Sequence, residues 1–442
     1  MEVRKLQILD LPADILARIF DYLSVSDLKE IALCCKKFNK IVSNERRILE
    51  KFEIFWTHGS DENEFIGSRK YHKVFIGDCL EENFMNHLDI FKMMRENLTE
   101  LSLQLIDQIE IVNLRIFLEN FKFLTKLSLI QLRLFNVNEI CDVKNLPEIE
   151  NLEYLHFSYN NYEILKLFLK AKLKHFEICD NFGDEKILKE FLIKQNNLEI
   201  FKSSCFAKNS KIFNDEKILK VKFKLKEMKI DENKIEVKNL EILRKFLSLH
   251  QKSLEKIEIN SMNLKVLKFV ENFRLLKIVK ITGTDSFENY NQIILSQVKN
   301  LILECEIKNL SWIFPKIENL KLNTANIETS ELKQLKNLKS LELRNLYNIQ
   351  MLPNTNIKCL TLVACSFEKV KQISVGKNKV KILVIERCEN INWLKEFLLN
   401  RHQKLNTLKI LSMKINKNEL NKEILDAIER TKEKIKNFVI AR

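Results

Sequence analysis

The chain has 442 residues, more than one ordinary hydrophobic core supports, so we expect either several domains or an extended array. It has only six Gly and four Pro and no GxGxxG or GxxxxGK[ST] motif, which argues against a glycine-dependent phosphate loop. The net charge of +14 suggests nucleic-acid binding, but only 15 of the 74 basic residues are Arg and the Lys residues alternate with acidic ones. We therefore expect a solvated Lys-rich surface rather than a nucleic-acid groove.

Ten cysteines are scattered along the chain without a CxxC spacing, and charged residues interrupt the N-terminal residues where a signal segment would lie. We expect reduced thiols in a cytoplasmic and/or nuclear protein. No uncharged apolar stretch approaches the roughly 18 residues that a membrane span needs, so we expect no membrane partner. We also expect no metal and no cofactor.

The segment from Leu9 to Val42 predicts three short helices. Pro12 suits a first helical turn, where its missing N–H is tolerated. One side of the first helix is apolar, and its residues are Ile15, Leu16, Ile19, Phe20 and Leu23. Asp27 and Glu30 have the spacing of a capping box and predict the start of the second helix.

The third helix is predicted to carry Phe38, Ile41, Val42, Ile48 and Phe52. Three short helices this apolar cannot bury all of their surface among themselves. Part of it is therefore expected to contact something else.

This segment resembles the F-box in many positions of one register. The matching residues are Leu11-Pro12, Asp14, Ile15-Leu16, Ile19-Phe20, Leu23, Asp27-Leu28 and Cys35-Lys36-Lys37-Phe38. Asp14 stands where Glu is commoner in the family and Phe38 where Trp is common. The resemblance covers roughly the first 50 residues and implies docking on the Skp adaptor, and through it on a cullin, in an SCF-type ubiquitin ligase. The residues expected to bind the adaptor are Leu11, Pro12, Asp14, Ile15, Leu16, Ile19, Phe20, Leu23, Leu28 and Phe38.

A repeat with apolar residues at positions 0, 3 and 5 follows. Its copies begin at Tyr71, Leu98, Leu124, Leu152, Leu173, Leu198, Leu225, Leu254, Leu276, Val298, Ile317, Leu338, Ile357, Val380, Leu405 and Ile435. From Leu98 onward the starts are 19 to 30 residues apart, close to the leucine-rich-repeat range. Position 8 is a small polar residue or Cys in several copies, namely Cys79, Asn160, Asn181, Asn233, Cys365 and Cys388. We expect it to bond the backbone of neighbouring loops.

This region resembles a leucine-rich-repeat solenoid, and the predicted fold class is α/β. We assign residues 1–56 to a three-helix F-box domain, 57–70 to a linker and 71–442 to about 15–16 repeats. Parallel strands are expected on the concave face, with helices or irregular turns on the convex face. Phe-Leu and Phe-Val pairs predict amphipathic helices in the longer repeats, whereas the shorter repeats around residues 298–357 leave no room for a full helix.

Strand positions 2, 4 and 6 point away from the core, so they are expected to form a binding surface. The candidate substrate-binding residues are Tyr154, His156, His175, Lys202, Lys229, Lys256, Lys280 and Lys321. The lysines suggest a protein substrate with an acidic or phosphorylated segment.

No catalytic motif is present, neither HExxH nor GxSxG, and His156 and His175 are too few ligands for a metal site. The sequence therefore favours a non-catalytic substrate receptor of an SCF-type ligase. Two alternatives stay open. The first is a protein-interaction scaffold that serves no ligase, and the second is a nucleic-acid-binding protein.

Overall fold

The structure is a computed structural model of the chain. It describes residues 8–49, 51–57, 71–80, 94–135, 149–221, 223–231, 235–260, 264–283, 293–305, 310–323, 332, 334–346, 357–367, 379–389, 391–399, 404–411 and 422–441. Except for Thr57, the predicted linker 57–70 lies outside these residues, as does Asn233. The chain divides into two units, Met1–Cys205 with Asp215–Lys224 and Phe206–Asn214 with Leu225–Arg442.

The N-terminal region is helical, as predicted. It comprises a 3₁₀ turn at Ile8–Asp10 and helices α1 (Ala13–Phe20), α2 (Val25–Cys34), α3 (Lys36–Asn44) and α4 (Arg46–Leu49). Ser24 caps α2, because its hydroxyl accepts the Asp27 N–H at 3.2 Å while the Asp27 carboxylate accepts the Ser24 N–H at 3.2 Å. The predicted Asp27–Glu30 capping box is wrong, since the helix begins earlier and Asp27 is its third residue.

The prediction that the third helix extends to Phe52 is also wrong. The helices end at Leu49, and a strand, β1 (Glu53–Trp56), follows within the range 1–56. It pairs in parallel with β2 (Lys73–Leu80), where Ile54 lies opposite Val74. The domain boundaries stay a prediction.

In the first unit, parallel strands follow β1 and β2 at the predicted repeat positions. These strands are β3 (Glu100–Asp107), β5 (Lys126–Ile130), β7 (Tyr154–Ser158), β8 (His175–Cys179) and β9 (Ile200–Ser203), and a separate short pair is formed by β4 (Ile109–Glu110) and β6 (Leu134–Phe135). The register aligns equal repeat positions, with Leu127 opposite Leu155 and Leu129 opposite Phe157. All four of these side chains are buried.

The second unit repeats this arrangement. Its strands are β10 (Glu227–Ile230), β11 (Lys256–Asn260), β12 (Ile278–Thr282), β13 (Asn300–Leu303), β14 (Asn319–Asn323), β15 (Ser340–Arg344), β16 (Cys359–Val363), β17 (Ile382–Glu386), β18 (Leu405–Leu411) and β19 (Ile435–Ala441). Neighbouring strands pair in parallel, with Leu341 opposite Leu360 as an example of the shared register. Helices followed by a long parallel-strand sheet confirm the predicted α/β class and are consistent with a leucine-rich-repeat solenoid.

Helices connect many of the strands. They span Ile111–Glu119, Glu185–Lys194, Ser210–Phe213, Glu216–Lys220, Val237–Ser248, Lys265–Phe269, Leu310–Ile313, Trp393–Leu399 and Lys422–Thr431, and Tyr162–Phe168 and Lys432–Lys434 are 3₁₀ helices. Many of their Phe and Leu residues are buried, for example Phe246 and Leu247, as an amphipathic helix requires. Within the described ranges, none of the helices has the length and apolar run needed to cross a bilayer.

Asparagines at position 8 hold neighbouring repeats together. Asn181 donates to the Phe157 carbonyl at 2.9 Å, and its Oδ1 accepts the Asn160 N–H at 2.7 Å. Asn160 in turn donates to the Leu129 carbonyl at 2.7 Å and accepts the Leu132 N–H at 2.7 Å. Both asparagines are fully buried, so these bonds satisfy backbone groups that water cannot reach. This confirms the predicted role of position 8.

Position 7 of many repeats has a left-handed backbone. Apart from Gly283, the residues with a positive φ at this position are Asp78, Leu105, Gln131, Tyr159, Asp180, Asn345, Ala364 and Arg387. The turn aims the N–H of this residue at the end of the next strand, as when Ala364 donates to the Glu386 carbonyl at 2.8 Å. This bond between repeats offsets part of the cost of about 1–2 kcal/mol that an L-residue incurs in this region.

Candidate protein-interaction sites

Helix α1 has apolar side chains on two faces. Leu16 and Phe20 are buried, and the Phe20 ring meets Phe38 edge to face with centroids 5.2 Å apart. Ile15 and Ile19 lie one helical turn apart on the other face and are 37% and 40% exposed. An exposed apolar helix face beside a buried one is typical of a protein-interaction surface.

The residues predicted to bind the adaptor fall into three groups. Pro12, Asp14, Ile15 and Ile19 are exposed, Leu11 and Leu23 are half-buried, and Leu16, Phe20, Leu28 and Phe38 are buried. The buried group cannot contact a partner in this conformation and instead holds the helices together. Only the exposed and half-buried residues can therefore contact the adaptor. Their role in binding it stays a prediction.

Two further exposed side chains, one in the turn after α1 and one on α2, were not predicted. Tyr22, which continues the spacing of Ile15 and Ile19, is almost fully exposed, and so is Leu33 on α2. The i, i+4, i+7 spacing could have identified Tyr22, but Leu33 has no such signal.

Two lysines fix the ends of α1. Lys37 donates to the Leu9 and Leu11 carbonyls at 2.7 and 2.8 Å, which ties the segment before the helix to α3. Lys51 donates to the carbonyls of Asp21 and Leu23 after the helix, where a cation also suits the helix dipole. The exposed face of α1 is thus held in place at both ends.

A second candidate surface is the open face of the sheet, by which we mean strand positions 2, 4 and 6. All eight predicted substrate-binding residues lie on it and are half-buried. Tyr154, His156, His175 and Lys202 belong to the first unit, and Lys229, Lys256, Lys280 and Lys321 to the second.

The structure brings the predicted aromatic and histidine residues together. Tyr154 lies opposite His175 in the register, and their rings meet edge to face with centroids 4.4 Å apart. His156 lies opposite Glu177, and its Nδ1 is 3.1 Å from the Ser128 hydroxyl. Glu177 also lies 3.9 Å from His175 Nε2 and 3.6 Å from Lys202 Nζ.

Burial favours the uncharged forms of the two imidazoles and of the Tyr154 phenol. It lowers the pKa of His175 to about 4, with Lys202 acting in the same direction and Glu177 opposing. Burial also lowers the pKa of His156. Burial, together with the charge of Glu177 and a hydrogen bond to it, raises the pKa of Tyr154 to about 12. At neutral pH both imidazoles and the phenol are therefore uncharged.

The predicted lysines are each paired with a carboxylate. The N–O distances are 3.6 Å for Lys202–Glu177, 3.3 Å for Lys229–Glu258, 2.8 Å for Lys256–Glu227, 3.1 Å for Lys280–Glu258 and 3.1 Å for Lys321–Glu342. The lysines therefore do not give the open face a row of unpaired positive charges. This weakens the argument for an acidic or phosphorylated segment, because such a ligand would have to compete with the existing carboxylates.

The most buried of these carboxylates is Glu258, which lies between Lys229 and Lys280. Burial opposes the charge on Lys229, but its contacts with Asp231 and Glu258 outweigh that effect and raise its pKa. The pKa of Lys280 is raised in the same way, with Glu258 and Glu304 outweighing burial. These lysines stay protonated and serve the cohesion of the sheet.

The described part of the chain shows no metal-ligating cluster, and two of its buried thiols are poorly suited to catalysis. No group of three or more His, Cys, Asp or Glu residues there could hold a metal ion. Burial raises the pKa of the Cys79 thiol to about 11 and also raises that of Cys205. A reactive thiol needs the opposite shift.

Two aromatic residues on the open face were not predicted from the sequence. Phe55 on β1 and Phe75 on β2 lie opposite each other, with ring centroids 5.5 Å apart. Phe75 is at position 4 of the weak first repeat, so the pattern could have identified it. Phe55 belongs to a strand whose position 0 is Lys51, and this charged residue concealed the repeat.

Comparison with known proteins identifies the helical segment. Residues 8–49 match the family model of the F-box domain. The comparison with curated proteins gave no match. Among solved structures, the chain is similar to one described as the functional domain of InlJ from Listeria monocytogenes, which includes a cysteine ladder. The identity is 14% and the TM-score 0.28, over 73% of this chain and 70% of that one. This similarity is weak, and the repeat assignment rests on the strands described above.

Proposed function

We propose that this chain is the substrate-recognition subunit of an SCF-type ubiquitin ligase. In this proposal the N-terminal helices bind a Skp-type adaptor, and through it a cullin, while the open face of the strands binds a protein substrate. The cytoplasm and/or the nucleus is the proposed location. The chain itself is proposed to be non-catalytic, in keeping with F-box proteins in general.

The observation that carries the proposal is the coincidence of the F-box match with an exposed apolar face on α1. The match covers residues 8–49, and Ile15 and Ile19 lie within it. Leu16 and Phe20 already fill the interior of the helical segment, so the exposed Ile15 and Ile19 are not needed for its core. Their exposure is best explained by a partner that covers them.

The second part of the proposal concerns the open face. On strands such as β7 and β8, half-buried side chains of several kinds alternate with buried apolar ones, which gives a broad surface backed by a packed core. A receptor of this kind contributes proximity, because a bound substrate meets the ligase's catalytic partner at a high effective concentration.

The adaptor contact is tested with Ile15→Ala/Ile19→Ala. The exposed two-fifths of each side chain is worth about 0.5–1 kcal/mol when a partner covers it, so the pair should contribute about 1–2 kcal/mol. We expect the dissociation constant for a purified Skp-type adaptor, measured by isothermal titration calorimetry, to rise about 5- to 30-fold.

Val237→Ala/Leu249→Ala is the matched control, since both residues are exposed apolar side chains at the ends of a helix in the second unit. This variant should bind the adaptor as the original chain does. Absence of adaptor binding by the original chain, or equal affinity in the Ile15/Ile19 variant, would contradict the assignment.

The alternative, an interaction scaffold outside any ligase, is separated by a second measurement. Under the proposal, a cullin and ubiquitinated proteins co-purify with the chain and are lost with the Ile15/Ile19 variant. Partners that persist in that variant without a cullin would favour the scaffold. Nucleic-acid binding is disfavoured by the paired lysines of the open face.

A further inference from the structure

The register of the first unit predicts a depression in its open face, which the proposed function leaves unassigned. Along one row of the register, Phe75 on β2 lies opposite Ser102 on β3, which lies opposite Ser128 on β5, which lies opposite His156 on β7. Two short side chains therefore separate two ring-bearing ones. The serines form the floor of the depression, and the rings form its walls.

The first wall is an aromatic pair. Phe55 stands beside Phe75 and is 58% exposed, although an apolar ring of this size is usually buried. Gly77 sets the position of the second ring, because a Cβ atom at this residue would lie 2.6 Å from Phe75 Cε1. The Phe75 ring thus lies along its own strand against the Gly77 backbone.

The second wall is held by hydrogen bonding and ring contacts. His156 is fixed by Ser128, whose hydroxyl is 3.1 Å from Nδ1, and Tyr154 on the same strand packs against His175. Partial burial disfavours the charged forms of Tyr154 and His156, so both are neutral at physiological pH. The wall therefore presents ring surface rather than charge.

The charges around the depression are compensated. Glu100 lies 3.2 Å from Lys73 and 2.7 Å from Lys126 at one end of the serine row. On the far side of His156, Glu177 pairs with Lys202. A charged ligand would have to disrupt these pairs, whereas an uncharged one would not.

The width of the depression suits one ring. Its two walls are three strand spacings apart, which is about 14 Å between backbones. A ring seated over the serines lies about 7 Å from each wall strand, and aromatic pairs favour centroid separations of about 4.5–7 Å. The serine hydroxyls add a polar contact for a phenol or an indole N–H.

We infer that Phe55, Phe75, Ser102, Ser128, Tyr154 and His156 form a subsite for a single uncharged aromatic side chain of an extended protein segment. The inference rests on the proposed function, since it specifies the substrate class that the receptor recognises. It replaces the acidic or phosphorylated segment expected from the sequence.

The test starts from a peptide library displayed on phage and selected on the immobilised full chain. We expect enrichment of peptides with a Phe, Tyr or Trp at one fixed position. One enriched peptide is then synthesised, together with the same peptide carrying Ala or Glu at that position. The aromatic form should bind at least about tenfold more tightly than either, as judged by fluorescence anisotropy.

Two variants locate the peptide. Phe75→Ala removes a wall and Ser102→Leu fills the floor, and each should weaken binding about tenfold. Thr361→Ala, on the open face of the second unit, is the control and should bind normally. Circular dichroism and the adaptor titration on the same variants verify that the chain is folded.

Selection of acidic or phosphate-bearing peptides, no aromatic enrichment, or unchanged binding by the folded Phe75 and Ser102 variants would overturn the inference. The adaptor titration keeps the two proposals separate. A chain that binds aromatic peptides but no adaptor would refute the proposed function and leave the subsite standing. A chain that binds the adaptor but no aromatic peptide would do the reverse.

Discussion

The buried imidazole of His250 should make the second unit sensitive to acid. His250 lies just after the helix Val237–Ser248, is 1% exposed, and packs its ring edge to face on Phe246 with centroids 5.0 Å apart. Burial lowers its pKa from 6.5 to about 4, because the protonated ring would lose its hydration. The neutral ring, by contrast, fits this apolar site.

The sign of the effect follows from proton binding. Between pH 6.5 and 4 the unfolded chain binds a proton at this ring and the folded chain does not, so the stability contribution is complete above pH 6.5 and is lost as the pH falls toward 4. The full shift corresponds to about 3 kcal/mol, and roughly 2 kcal/mol of it is lost between pH 7 and pH 5.

The perturbation is His250→Leu, assayed by urea unfolding of the full chain at pH 7 and at pH 5. The substitution removes the proton-binding group and keeps an apolar side chain, so the free energy of unfolding should fall about 2 kcal/mol less than in the original chain over this interval. Leu249→Ala, an exposed neighbour without a titrating group, should keep the original pH dependence. An identical pH dependence for His250→Leu and the original chain would refute the reasoning.

Two further outcomes concern cohesion between repeats. Asn181→Ala should lower the free energy of unfolding by about 1–3 kcal/mol in urea titrations, because the Phe157 carbonyl and the Asn160 N–H lose their buried partner. A decrease smaller than the experimental error would show that these groups find other partners. Glu258→Gln should lower the free energy of unfolding by about 1–3 kcal/mol, because the half-buried Lys229 and Lys280 lose the carboxylate that they share. The exposed Glu216→Gln should have no measurable effect, and equal effects of the two substitutions would contradict this account.

The sequence predicted the repeat well, because burial at positions 0, 3 and 5 is a local property of each strand. Leu152, Leu155 and Phe157 are fully buried as expected. The strand β1 was missed because Lys51 occupies its position 0 and instead donates to carbonyls at the end of α1. A periodic pattern cannot anticipate a residue recruited by a neighbouring element.

The candidate sites were predicted less completely. Ile15 and Leu16 are adjacent in sequence and equally apolar, yet one is exposed and the other buried, which only the packing of α3 against α1 decides. The lysine side chains of the open face were located correctly. Their carboxylate partners depend on the register between strands 20 to 30 residues apart, as for Lys280 and Glu258, and the sequence does not state that register.

The left-handed position 7 has a consequence for how the protein can diversify. Solenoid turns of this kind could be built with glycine, but this chain has only six and places full side chains at most of these positions. Tyr159, for example, projects with half of its surface exposed at the rim of the sheet. The left-handed backbone costs each turn some stability, but it allows a side chain to project at a regular interval along that rim. Along this rim the chain therefore displays side chains that differ from repeat to repeat, while the strand residues buried beneath them stay apolar.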